Sequence, residues 1–335
     1  MTRRLCLIAL IVCGGCADLS QRASRPDSTT FERRCHPVQD YRLPLRAATS
    51  GSGEAVATPS QLEEIAHGTR FTVESIHAAH AIDALPLLQD IAASEQPVLE
   101  GRELLERRRE RLRQELSNRV LLSLLQLGSV LSEIVCEAER ADQLADRLEE
   151  REEHYARVLT VLAVVTAGVA GLVGGAVAIA NESVAEGIVG VVGGVVSTAF
   201  GSAALIQHKT LDFKHPRNLL RDIWEGPRTS TLYPPAVWRF LNRPLEEDPR
   251  ATLRTAIIAR WRRDGRLGEP GSKLEAHRTQ ILFAAGGRYD VEDFRARAQM
   301  LDMLEAQIGL MHQYLERLLE EVLARTHAAQ APLAG

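Results

Sequence analysis

Aromatic residues make up only 4% of this 335-residue chain, and no proline interrupts it between Pro97 and Pro216. Few aromatics beside abundant Ala, Leu, Glu and Arg is the composition of long helices, so the class is mainly helical. A formal net charge of −4 excludes the global basic excess that a nucleic-acid partner would call for. Catalytic signatures are missing as well. There is no G-x-x-x-x-G-K-[ST], no G-x-S-x-G elbow, no H-E-x-x-H and no paired-cysteine motif, so the sequence implies neither an enzyme nor a cofactor. His77 and His80 can share a helix face, but no third ligand is identifiable and no metal site is implied. Asp290, Glu292 and Asp293 open a helix, where acidic side chains meet the positive end of the helix dipole.

What the chain does have is a pair of long apolar runs, Val158 to Ala180 and Val184 to Ile206, joined by Asn181, Glu182 and Ser183. Glu186, close to that turn, is the one charge within them. As helices of 23 residues each, they are about 34 Å long, enough to cross a hydrocarbon core of about 30 Å. The segment Gly168 to Val177 recurs 19 residues later as Gly187 to Val196. In the two copies Gly168, Gly171, Gly174 and Gly175 correspond to Gly187, Gly190, Gly193 and Gly194, and each copy contains G-x-x-x-G. Two side-chain-free positions on one face let a second backbone approach closely, within one chain or between copies of it. The expectation is a hydrophobic helical hairpin with Asn181, Glu182 and Glu186 at its tip. Insertion into a bilayer and burial within a soluble bundle both satisfy this pattern. The glycine runs are not phosphate loops, because Val and Ala flank them and no lysine or hydroxyl is placed to hold an anion or a metal ion.

Residues 1–15 read as a signal peptide: Arg3 and Arg4, an apolar run from Leu5 to Cys13, then Gly14 and Gly15 before Cys16. Small residues directly before a cysteine resemble the bacterial lipobox, which implies that Cys16 is lipidated and becomes the mature first residue. Cys13 stands where that pattern usually has leucine. Ala17 after the cysteine resembles lipoproteins sorted to the outer membrane, so its periplasmic face is expected over the inner membrane. Several acyl chains make a stable anchor where one binds only marginally. With Cys16 consumed, Cys35 and Cys136 remain in the mature chain, either bridged in an oxidising compartment or as separate thiols.

Residues 16–59 form a flexible tether, ending in a run that includes Ser50-Gly51-Ser52-Gly53. Residues 60–157 hold short helices, opened by a capping box at Ser60 and interrupted at Pro86 and Pro97, and then a long helix. On that helix Leu124, Leu127, Leu131, Ile134, Ala138, Ala141, Ala145 and Leu148 alternate spacings of three and four, a heptad seam. It is expected to run unbroken from about 99 to 180, with the charges of Arg140 to Glu153 on solvated faces. Residues 290–326 repeat the alternation at Leu301, Leu304, Ile308, Met311, Leu315, Leu318 and Val322 and supply an antiparallel partner. Residues 327–335 read as a disordered tail. Between the hairpin, residues 158–206, and the C-terminal helix lies a cap, residues 207–289, with all three tryptophans and half of the prolines. Its aromatics either dock loops onto helices or form a membrane-interface belt or a peptide or glycan surface. A basic amphipathic helix around Ile257, Ile258 and Trp261 either joins the bundle or lies on anionic lipid.

The fold class expected is therefore all-α: a long antiparallel coiled-coil stalk that ends in a glycine-rich hairpin, with a Pro/Trp-rich, mainly helical cap. The hairpin resembles the glycine-zipper segments of outer-membrane lipoproteins and, in its plan, the stalk and hairpin of α-helical pore-forming toxins. That resemblance implies a membrane-bound envelope protein that works through its hairpin, with the lipid bilayer and further copies of itself as partners. A soluble periplasmic adaptor, its hairpin packed on a partner envelope protein, is the other expectation. Arg157, Lys209 and Lys214 flank the base of the arms while the acids lie at the tip, so the positive-inside preference opposes export of the base. Insertion after export reconciles the two.

Overall fold

The computed structural model describes residues 35, 58–94, 102–178, 210–245, 248 and 250–330. It is mostly helical, with nine helices and two short strands among these residues. Every one of these elements lies in the unit Pro37–Gly335.

Three short helices come first: α1 (Pro59–Thr69), α2 (Val73–Ala81) and α3 (Leu85–Ser94). The N-cap of α1 is Thr58, not Ser60: the Thr58 hydroxyl accepts from the Gln61 N–H and the Gln61 side chain accepts from the Thr58 N–H. Pro59 explains the two-residue difference, because a residue without an N–H fits the first helical position, where that donor would go unused. Pro86 likewise sits in the first turn of α3 and does not interrupt a helix. The break falls before it, at Ile82 to Ala84, where Asp83 adopts φ 59°.

Helix α4 (Arg102–Ala178) is 77 residues long, close to the expected span. Of the expected seam, Leu127, Ile134, Ala138, Ala141, Ala145 and Leu148 are buried, and Leu124 and Leu131 are half-buried against the core. Helix α9 (Val291–Gln330) covers this stripe with Leu301, Leu304, Ile308, Met311, Leu315, Leu318 and Val322, each at most 5% exposed. Arg295 pairs with Glu149 while Asp302 faces Asp142, so position rises along α9 as it falls along α4: the two helices are antiparallel. Helix α9 continues through residues 327–330, and residues 331–335 lie outside the described residues.

The cap contains β1 (Leu211–Lys214), α5 (Leu219–Glu225), α6 (Pro235–Leu241), α7 (Leu253–Arg263), α8 (Lys273–Phe283) and β2 (Gly286–Tyr289). The strands pair antiparallel, Leu211 opposite Tyr289 and Lys214 opposite Gly286, a small sheet that a purely helical reading omits. Trp238 and Trp261 are 5% and 0% exposed, and Trp224 stacks on Phe283 at 4.3 Å. These rings fasten cap helices and do not form an exposed belt. The apolar side of α7, Ile257 and Trp261, is buried, so this helix is a bundle member with a charged outer face.

Candidate functional site

The residues expected to act divide between the far end of α4 and the ground outside the described residues. Cys16, Asn181, Glu182, Glu186, Gly187, Gly190, Gly193 and Gly194 lie outside them. Gly168, Gly171, Gly174 and Gly175 lie on α4, within its last three turns. Cys35 and Cys136 are each disulfide-bonded.

Leu148 is the last buried residue of α4 among those whose burial is described. From 149 to 162 every residue is half-buried or exposed, yet from Val158 onward the sequence is apolar. Val158, Val161, Leu162 and Val164 are exposed by 39%, 61%, 39% and 66%. At about 100° per residue these four fall within an arc of about 160°, and since no residue from 149 to 162 is buried, that apolar face has no partner within the bundle. The 30 residues from 149 to 178 add about 45 Å of helix after the last buried position. Hydropathy alone does not mark this end, because an 18-residue window of mean hydropathy 1.6 also occurs within Glu103–Leu162, where 39% of it is buried.

Immediately before that exit, α4 is fixed by a buried polar junction. Glu133, Glu137 and Arg140 are spaced i, i+4 and i+7 and are 4–5% exposed. Glu137 takes Arg140 at 3.3 Å and, from α9, Arg297 at 3.5 Å, the second at ion-pair distance without a hydrogen bond. Arg297 is completely buried and also donates to Asn218 Oδ1 at 3.3 Å. Glu133 accepts from Arg217 at 2.8 Å. The Arg140 guanidinium lies 4.7 Å above the Phe213 ring of β1. Asp293, 1% exposed, accepts from Arg278 at 3.0 Å and pairs with His277 at 3.1 Å. Its role is thus an ion pair as well as a place in the first helical turn, whereas Asp290 caps the turn by accepting the Asp293 N–H at 2.8 Å. Arg140 was expected on a solvated face; its burial corrects that reading. Glu133, Glu137 and Arg297 were not singled out from sequence. The signal for them was a charge falling on the apolar stripe itself: Glu133 and Glu137 beside Ile134 and Ala138, and Arg297 beside Ala298.

His215 and Tyr289 share a hydrogen bond of 2.7 Å, and Tyr289 donates its hydroxyl to the Ile281 carbonyl at 2.8 Å. Burial, with Arg297 nearby, lowers the His215 pKa to about 2, and burial raises that of Tyr289 well above the usual phenol range. Neither is poised to exchange a proton near neutral pH, so the pair holds β1 to β2 and does not serve as an acid and a base. His77 is also kept neutral, with burial and then Arg243 lowering its pKa to about 4. Both histidines have folded pKa values below the unfolded 6.5, so the unfolded chain takes up protons first. Their contribution to stability is complete above pH 6.5 and is lost as pH falls toward the folded values. Chemical denaturation at pH 7 and 5.5 is expected to show a loss of roughly 2–3 kcal/mol, and the variant His77→Gln to lose less. Among the described residues no group of three His, Cys, Asp or Glu side chains could hold a metal ion.

The geometry thus joins a keyed, buried part of α4 to an apolar stretch, Val158 to Leu162 and Val164, that lies outside the buried core. No protein-family model, curated protein or solved structure matches the chain.

Proposed function

We propose that this is a bacterial envelope lipoprotein, anchored through Cys16, whose antiparallel helical stalk presents a glycine-zipper hairpin, residues 158–206, for membrane insertion, bridging or pore assembly. The observation that carries this reading is the exposure of Val158, Val161, Leu162 and Val164 on a stretch of helix in which no residue from 149 to 162 is buried. A helix apolar all round is stable in hydrocarbon or inside other protein, not in water. The acyl anchor holds the mature chain at one leaflet, and the working part is the hairpin and not a catalytic centre. Its glycine faces pair the two arms or neighbouring protomers. With Cys16 lipidated and the signal removed, Cys35 and Cys136 bridge to one another and tie the tether to the stalk. Peptide mapping without reductant is expected to recover the Cys35 and Cys136 peptides as one species; two separate partners would refute the bridge.

A second reading is a periplasmic adaptor whose hairpin is covered by a partner envelope protein. It is favoured by the apolar window within Glu103–Leu162, which shows that this helix also uses apolar sequence to pack on protein.

The glycine faces are tested by Gly171→Leu with Gly190→Leu. This pair keeps the arms apolar and removes close approach, and is expected to reduce cross-linked oligomer in membranes by about tenfold or more. Unchanged oligomer would discard the glycine interface while leaving the membrane reading standing.

A further inference from the structure

The outer side of α7 forms a groove of about 320 Å³ with Trp224 of α5, lined by Trp224, Arg254, Thr255, Ile258, Ala259 and Arg262. Two of its six lining residues are arginines and none is acidic. The Arg262 guanidinium sits 5.0 Å from the centre of the Trp224 ring, whose other contact is the Phe283 stack, and no carboxylate pairs with it among the described residues. Arg254 is half-buried and pinned in place: Nε donates to Asn242 Oδ1 at 3.3 Å and Nη1 to the Ile223 carbonyl at 2.7 Å. Both acceptors are neutral, so its charge is oriented without being neutralised. Gly226 is shaped to that guanidinium. It adopts φ 64°, and a Cβ there would lie 2.6 Å from Arg254 Cζ and Nη2. The nearby acids are engaged elsewhere, Asp264 with Arg260 and Glu225 near Arg221. Burial lowers the pKa of Arg254, as desolvation of an uncompensated cation should.

A partly desolvated guanidinium that is held by neutral acceptors and has a second guanidinium on the same groove is a site short of one negative charge. Arginine forks suit tetrahedral oxyanions, which accept two parallel N–H donors, and the Trp224 edge and Ile258 provide an apolar wall for the organic remainder of an ester. We propose that the groove between α7 and Trp224 binds a phosphate group, either a phospholipid headgroup or a free phosphate ester, with Arg254 and Arg262 as the anion ligands. The site does not depend on the hairpin, and stands or falls separately from membrane insertion.

The test uses the full-length protein and the variants Arg262→Gln and Arg262→Glu, because among the described residues the Arg262 guanidinium meets the Trp224 ring face and its loss leaves the Arg254 bonds intact. Equilibrium dialysis against inorganic phosphate, and flotation with phosphatidylcholine vesicles with or without one-fifth phosphatidylglycerol, separate the two sources. Saturable phosphate binding that weakens about tenfold in Arg262→Gln, and further in Arg262→Glu, supports a free phosphate ester. A phosphatidylglycerol-dependent gain in flotation that both variants lose, with no free phosphate bound, supports a headgroup. Arg262→Lys restores either response in part, because the charge is kept and the fork is lost. Equal behaviour of wild type and both variants in both assays overturns the proposal. A fall in vesicle binding caused by a failed hairpin would instead affect neutral and anionic vesicles alike.

Discussion

Glu137→Gln is expected to cost about 3–5 kcal/mol of folding free energy in urea denaturation, among the largest effects of any single change in the chain. The substitution keeps the shape of the side chain and removes one charge. That charge is the carboxylate between Arg140 and Arg297, whose side chains are 5% and 0% exposed. After the change two buried guanidiniums face each other across a neutral amide, and neither can reach water without opening the contact of α4 with α9. The ion pair itself is not the source of the stability, since desolvating three charges offsets most of their attraction. Replacing Glu137, Arg140 and Arg297 together by Met, Leu and Met is therefore expected to cost far less than Glu137→Gln alone. If the triple variant is as unstable as the sum of its single variants, the three residues act independently and the junction is not a unit. Such a network sets the register of α4 on α9, because a slip by one heptad would bury each charge without its partner.

Gly286→Ala is the second large effect, with an expected loss of at least about 3 kcal/mol. Gly286 has φ 113°, outside the range that a side chain tolerates, and a Cβ there would lie 2.0 Å from the Phe213 carbonyl oxygen and 2.8 Å from Lys214 Cα. Both contacts are to backbone, so the β1–β2 pair has to separate. Its separation would uncover Phe213 and the His215–Tyr289 bond, which pack against the same junction. Gly287→Ala is the control. Its Cβ would meet the Cγ2 methyl of Ile281 at 2.7 Å, a side-chain and not a backbone contact, so repacking of one residue suffices and a smaller loss of about 1–2 kcal/mol is expected. Equal losses at the two positions would mean that the strand contact is not what Gly286 protects.

The long helices are legible because their apolar positions repeat with no proline inside them, between Pro97 and Pro216 for α4 and between Pro270 and Pro332 for α9, and all seven stripe positions of α9 are buried. The two strands were not legible. Four residues each, with the sequences Leu-Asp-Phe-Lys and Gly-Gly-Arg-Tyr, are too short to show alternation, and their pairing spans some 75 residues of intervening chain. The polar junction is only half legible: Glu137 falls on the apolar stripe of α4, but its partner Arg297 lies some 160 residues on and only the packing of α9 brings the two together. Thr58 is harder to read as the cap because Ser60 offers the same hydroxyl two residues on, and only the placement of Pro59 at the first helical position decides between them. The residues of the hairpin were visible from composition and internal repeat alone, and what they do rests on the membrane experiment below.

That experiment is alkaline carbonate extraction of membranes carrying the wild type, Cys16→Ser behind a cleavable signal, and the same unlipidated protein lacking residues 158–206. If the hairpin enters the bilayer, the unlipidated protein stays in the carbonate-resistant pellet and the deletion releases it to the supernatant. Complete release of the unlipidated protein with its hairpin intact would contradict insertion and leave the adaptor reading in its place.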